Sequence, residues 1–110
     1  MIDLTYLITT TENDVEVIKE LIQIFSLQLP GYKDDIPEAF YEGNWHNLKE
    51  LAHKAKNSFQ IVGANEQAEK LKQIEILALK EQNTEQLSQL VIDFKRDCEV
   101  VMQEISELSF

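Results

Sequence analysis

Seven apolar residues near the end of the chain, Leu87, Val91, Phe94, Cys98, Val101, Ile105 and Leu108, are separated by alternating steps of four and three. An α-helix advances about 100° per residue, so this series stacks into one stripe along one face, whereas a half-buried strand needs alternation by two. A stripe about six turns long cannot be buried by the helix that carries it and requires other helices with stripes of their own. The chain supplies them. Val15, Ile18, Ile22, Phe25 and Leu29 step by three and four, with Tyr32 and Ile36 continuing the spacing, and Ala68, Leu71, Ile74 and Ala78 form a shorter inward set.

Helix boundaries are expected where the punctuation falls. Asn13 with Glu16 three residues later resembles a capping box and predicts a helix start there. Pro30-Gly31 predicts a kink or short break in that helix. Gly43 is the expected stop, and Asn44 the cap of a helix over about 45–62. Gly63 should end that helix, Asn65 should cap one over about 66–81, and Asn83 with Gln86 should open the last. Residues 2–8 carry Ile2, Leu4, Tyr6, Leu7 and Ile8 and read as a short apolar segment. With only three glycines and two prolines, the composition favours helix throughout. The expected fold is all-α, an antiparallel up-and-down four-helix bundle with a short N-terminal helical segment, forming one domain over residues 1–110.

Charge and length narrow the function classes. A domain of 110 residues, 44% apolar, buries roughly 65% of its unfolded surface and folds without metal or disulfide. The lone Cys98 has no internal partner, is expected in the core, and fits a reducing compartment. The first residues lack a basic leader, and no run of about 18 apolar residues offers a membrane span. A cytoplasmic protein is expected. The net charge of −10 argues against nucleic acid or an anionic membrane as partner. Yet three of the ten bases, Lys49, Lys54 and Lys56, fall within eight residues, and that window also holds His53.

On a wheel of residues 45–62, Leu48, Leu51, Ala55, Ser58, Phe59 and Val62 gather on one side. His53 lies about 170° from their centre, among His46, Lys49, Glu50, Lys56, Asn57 and Gln60. A buried, structurally satisfied histidine is therefore contradicted by phase, and an exposed imidazole is expected. Lys49 stands four residues before it and Lys56 three after, so each can lean towards the ring from an adjacent turn. Two ammonium groups beside a neutral imidazole suit an anion carried on the ring, and a phosphoryl group brings about two negative charges. Exposed pairs are worth only about 0–1 kcal/mol each, so the lysines orient and attract more than they bind. A neutral imidazole keeps a nitrogen free for nucleophilic attack.

The run Ala52-His53-Lys54-Ala55-Lys56-Asn57-Ser58-Phe59, followed by Val62-Gly63-Ala64, resembles the signature of histidine-containing phosphotransfer (HPt) domains. His53, Lys56, Ser58, Gly63 and Ala64 match that pattern, and the helical layout around them extends the resemblance over most of the chain. It implies a phosphorelay shuttle without kinase or nucleotide site of its own. His53 would accept a phosphoryl group from an aspartate on one receiver domain and return it to another. Lys56 and Lys49 would stabilise the phosphoryl. The expected partners are receiver domains of response regulators or hybrid histidine kinases, which would supply Mg²⁺; a monomer is expected at this size. One position departs: the residue after Lys56 is usually glycine in the family and is Asn57 here. It lies about 40° from His53 on the wheel, where its amide would narrow access or hydrogen-bond phosphoryl oxygens and alter partner preference. An initial Met and a plain C-terminus lean towards a free-standing protein.

Three other chemistries fit parts of the same sequence. Glu50-Leu51-Ala52-His53 is a Glu-x-x-His unit of the kind di-iron bundles use, but such sites need a second unit and two more inward glutamates. Glu50 is expected instead to pair with Lys54. Ser-His-acid or Cys-His catalysis finds Ser58 and Cys98 inward and no orienting acid beside His53. A bundle that binds receivers without carrying phosphate is the remaining alternative. It draws on a second apolar stripe, Val17, Leu21 and Ile24, expected to be covered in part by residues 2–8 and in part free for docking.

Overall fold

The computed structural model describes residues 2–82 and 84–108. Five helices follow one another: α1 Thr5–Thr10, α2 Val15–Tyr41, α3 Trp45–Ile61, α4 Asn65–Leu79 and α5 Glu85–Ser106. No strand occurs among the described residues. α2 packs on α3 and α5, and α4 packs on the same two. The four long helices therefore close a square, in which the α3/α4 face lies opposite the α2/α5 face. This is the bundle that the stripes demand. The 27 residues of α2, at about 1.5 Å each, span about 40 Å and set the 42 Å long dimension of the molecule.

The stripe of α5 is buried from Leu87 through Val101 and meets Leu29, Ile36, Leu48, Phe59, Leu71 and Ile74 in one core. Phe59 is its centre. Its ring takes Phe25 edge-on at 5.1 Å and lies 5.8 Å from Phe94, joining α2, α3 and α5 through aromatic contacts. A smaller cluster of Leu7, Ile18 and Ile22, with Leu4, Leu21 and Leu108 against it, forms where the N-terminal segment covers α2. Ile105 touches both clusters. Val15, expected on the inner stripe, is exposed at the first position of its helix. Cys98 is fully buried, and burial pushes its thiol up to about 12, so it is an inert core residue.

Pro30-Gly31 does not break α2, which runs on through Pro30 and Pro37. An interior proline costs about 3 kcal/mol through its missing N–H and ring clash. Phe25, Leu29, Ile36, Ala39 and Phe40 are buried on both sides of Pro30, at about 1.5–3 kcal/mol for each large side chain, so tertiary burial wins. The caps also shift from their expected places. Glu12 and Asn13 take left-handed φ of 54° and 60° in the α1–α2 turn. The cap of α2 then falls to Asp14, whose carboxylate accepts from the N–H groups of Glu16 and Val17. Asn44 caps α3 as expected, accepting from Asn47. Asn65 lies inside α4, whose N-cap is the buried Ala64. The cap expected at Asn83 lies outside the described residues; Thr84 accepts from Leu87 and opens α5.

Gly63 shapes the end of α3. Its φ is +73°, and a Cβ there would stand 1.7 Å from the carbonyl oxygen of Asp3. The N-terminal segment crosses at this point, with the Asp3 N–H donating to the Val62 carbonyl at 3.1 Å. The Ile2 N–H donates to Glu104 Oε2 at 2.7 Å. Residues 2 and 3 thus strap the end of α3 to α5. Only glycine meets both requirements at position 63.

Candidate functional site

α3 and α4 are joined by the three residues Val62-Gly63-Ala64, where the Gly63 N–H reaches Gln60 and the Ala64 N–H reaches Phe59. A link this tight lays the two helices antiparallel and in fixed register. Leu48, Ala52, Ala55 and Phe59 face the core, which turns His53 outward as its phase required. The imidazole side chain is 52% exposed.

It is not alone there. Glu75, on α4, holds His53 Nδ1 at 2.9 Å with Oε2 and Lys56 Nζ at 3.0 Å with Oε1. One carboxylate thus bridges the ring and the lysine. Glu75 and Lys56 side chains are largely covered, at 24% and 17% exposure. Burial alone would raise the Glu75 pKa, but hydrogen bonds and charge from Lys56 and His53 outweigh it and hold the carboxyl below its ordinary value. An ionised carboxylate only accepts, so in the neutral ring Nδ1 carries the proton and Nε2 is left with its lone pair. From the sequence no orienting acid is expected beside His53, and Glu75 overturns that expectation. Glu75 lies on another helix, outside the motif window.

The other candidate residues divide. Lys56 joins the site through Glu75. Lys49 Nζ lies 3.6 Å from Glu50 Oε1 and makes no hydrogen bond to the ring. The expected Glu50–Lys54 pair is replaced by this contact; exposed alternatives of this kind differ by only tenths of a kcal/mol. Asn57 is exposed and lines a groove with Asp3, Thr5, Tyr6, Gln60 and Gly63, at the strap beyond His53. Ser58, expected inward, is half-buried at the α2/α3 seam, within 3.3 Å of Gln28 Oε1 and of the Lys54 carbonyl. It is too far round the helix to serve as a nucleophile for His53. His46 is exposed beside Trp45 and Leu79 in a shallow hollow.

The second stripe splits as well. Leu21 is half-buried against the N-terminal cluster, while Val17 and Ile24 remain exposed. Ile24 shares a hollow with Gln28, Ser58 and Ile61, so apolar surface continues from α2 onto α3 beyond His53. Among the described residues, no group of three or more His, Cys, Asp or Glu side chains is placed to hold a metal ion. No helix there is long and apolar enough to cross a membrane. Comparison with family models, curated proteins and solved structures finds no match to this chain.

Chemically, the arrangement offers a solvent-facing nucleophilic nitrogen whose ring is fixed in one tautomer. A carboxylate stands on its far side to compensate positive charge developing on the ring. A single ammonium lies within the same network, one turn along the helix.

Proposed function

We propose that the chain is a cytoplasmic histidine phosphotransfer protein that carries a phosphoryl group on His53 between receiver-domain aspartates. The observation that supports this best is the bridge from His53 Nδ1 through Glu75 to Lys56. Attack by the Nε2 lone pair on the phosphorus of an aspartyl phosphate forms the N–P bond. The P–O bond to the aspartyl oxygen breaks, and the carboxylate departs with the electron pair. The ring then holds Nδ1–H and the Nε2-phosphoryl together and becomes cationic, and the Glu75 carboxylate compensates that charge. In reverse, the same contact releases the phosphoryl to a second aspartate.

Nothing in this sequence of events requires a nucleotide site on the chain. The receiver is expected to contribute Mg²⁺ at its own aspartate, where it would neutralise the transferring oxygens. Lys56, tied to Glu75, is one turn from the phosphoryl position and would exchange partners as the new anion forms; Lys49, loosely paired with Glu50, would add a second, weaker attraction. The exposed apolar surface of Val17, Ile24 and Ile61 fits the docking of a receiver close to His53. The same surface would serve a module that binds receivers without being phosphorylated.

One experiment separates them. A receiver labelled as its aspartyl phosphate is mixed with the chain and with His53→Gln. Label that moves to the wild type, survives alkali, is lost in acid and is absent from the variant is the expected result. Receiver binding by both proteins without transfer to either would replace the shuttle with the binding module.

A further inference from the structure

The face opposite His53 carries a groove that the proposed phosphotransfer does not use. Its floor is Val91 and Pro37, both buried, between α2 and α5. Tyr41 (73% exposed) and Ile92 (49% exposed) stand as its walls. The cavity measures about 320 Å³, within the range of small-molecule sites. Around this apolar trough stand Lys33, Lys95 and Arg96, against the single carboxylate of Glu99.

That is three of the ten bases of a chain with net charge −10. Two are engaged: Lys33 pairs with Glu99, and Arg96 with Asp93 at 3.1 Å. Lys95 has no ion-pair partner among the described residues. The groove thus presents an apolar floor, one uncommitted ammonium, and a guanidinium whose fork has donors to spare. An occupant complementary to it has an apolar body and one anionic head. A protein interface would need roughly 800 Å² from each partner, far more than a trough bounded by two helices and four charged side chains provides. A nucleic acid would find the surrounding acidic surface repulsive.

We propose that the α2/α5 groove binds a small amphiphilic carboxylate, its hydrocarbon portion on Val91, Pro37 and Ile92 and its carboxylate between Lys95 and Arg96. The groove is across the bundle from His53, so this binding is independent of the phosphotransfer reading and stands or falls without it.

The probe is decanoate, titrated below its micelle concentration into the ¹⁵N-labelled protein and followed by amide chemical shifts. Saturable shifts are expected to centre on Tyr41, Val91, Ile92 and Lys95, unchanged in His53→Gln. Lys95→Glu should weaken binding by roughly five- to tenfold and Lys95→Gln by less, in keeping with an exposed charge contact. Ile92→Asp should remove saturation, with helical content checked by circular dichroism. Decanol, with the same chain length but no charge, should bind more weakly than decanoate. Equal binding of decanol and decanoate would overturn the proposal, as would indifference to both Lys95 variants. Shifts spread equally over the Val17–Ile24 surface would also overturn it, by marking general adsorption. So would saturable shifts with an acidic peptide but none with decanoate, in favour of a protein partner.

Discussion

His53, eight residues before the end of α3, and Glu75, ten residues after the start of α4, are brought by the tight α3–α4 link to a hydrogen bond of 2.9 Å. In an antiparallel helix pair, residues at similar distances from the turn lie within about half a turn of the same level, which a long side chain such as glutamate spans. One helix face therefore reads the other. The same carboxylate then reaches one turn along α3 to Lys56, so the register of a three-residue link determines the protonation geometry of the exposed ring.

Removing that carboxylate should leave the nucleophile in place but unset. In Glu75→Ala the imidazole is expected to populate both tautomers, visible as convergence of its two ¹⁵N shifts, where the wild type shows a protonated Nδ1. Phosphoryl acceptance should slow by roughly tenfold, in line with loss of orientation rather than loss of the reacting group. A tautomer ratio identical to the wild type would show that Glu75 does not set the ring.

The same bridge has an acid signature. The Glu75 carboxyl is held below its ordinary value of 4.5 by Lys56 and His53 against the opposing effect of burial. A folded-state pKa below the unfolded one contributes stability that is present above the unfolded pKa and is lost as pH falls through the folded pKa. Thermal unfolding followed from about pH 6 to about pH 3 should show a decline to which Glu75 contributes. Lys56→Met, by removing the chief hydrogen-bond donor, should make that decline shallower. Asp3, whose carboxyl is lowered by bonds to Thr5, should contribute equally in both proteins and serve as the internal constant.

Gly63→Ala is expected to cost about 2 kcal/mol or more, because it combines left-handed backbone with a collision against backbone atoms of Asp3. Hydrogen exchange at the Asp3 amide should accelerate in the variant, since its bond to Val62 cannot survive displacement of the strap. A variant with unchanged stability and unchanged Asp3 protection would contradict the packing described.

The docking surface is tested by Ile24→Asp. Ile24 is 45% exposed, so stability should change by no more than about 0.5 kcal/mol, while affinity for a phosphodonor receiver should fall by roughly tenfold if this surface meets it. Asn57→Gly should change the relative rates of transfer to different receivers. Identical rates across a panel would show that the amide takes no part in partner choice.

Much of the architecture was legible from periodicity. The unbroken stripe from Leu87 to Val101 is the buried face of α5, and the phase of His53 on α3 dictates its exposure without reference to any partner helix. What escaped were features that depend on two segments at once. Glu75 is an ordinary charged residue on α4 until the α3–α4 register is known. Asp14 takes the cap predicted for Asn13 because two residues before it adopt left-handed backbone, which a local capping pattern does not encode. Pro30-Gly31 pointed to a kink or short break because propensity is local, whereas the burial of Leu29 and Ile36 that carries the helix past it is tertiary.

The crossing of Asp3 over Gly63 has an implication for inheritance. Position 63 is restricted partly by a segment sixty residues away, so the two should be lost or kept together. A homologue without the crossing segment is released from the steric half of the restriction and can place asparagine there, which tolerates left-handed backbone. A homologue that keeps the crossing cannot. The glycine after the histidine helix is then a marker of how the chain begins, as much as of what the helix carries.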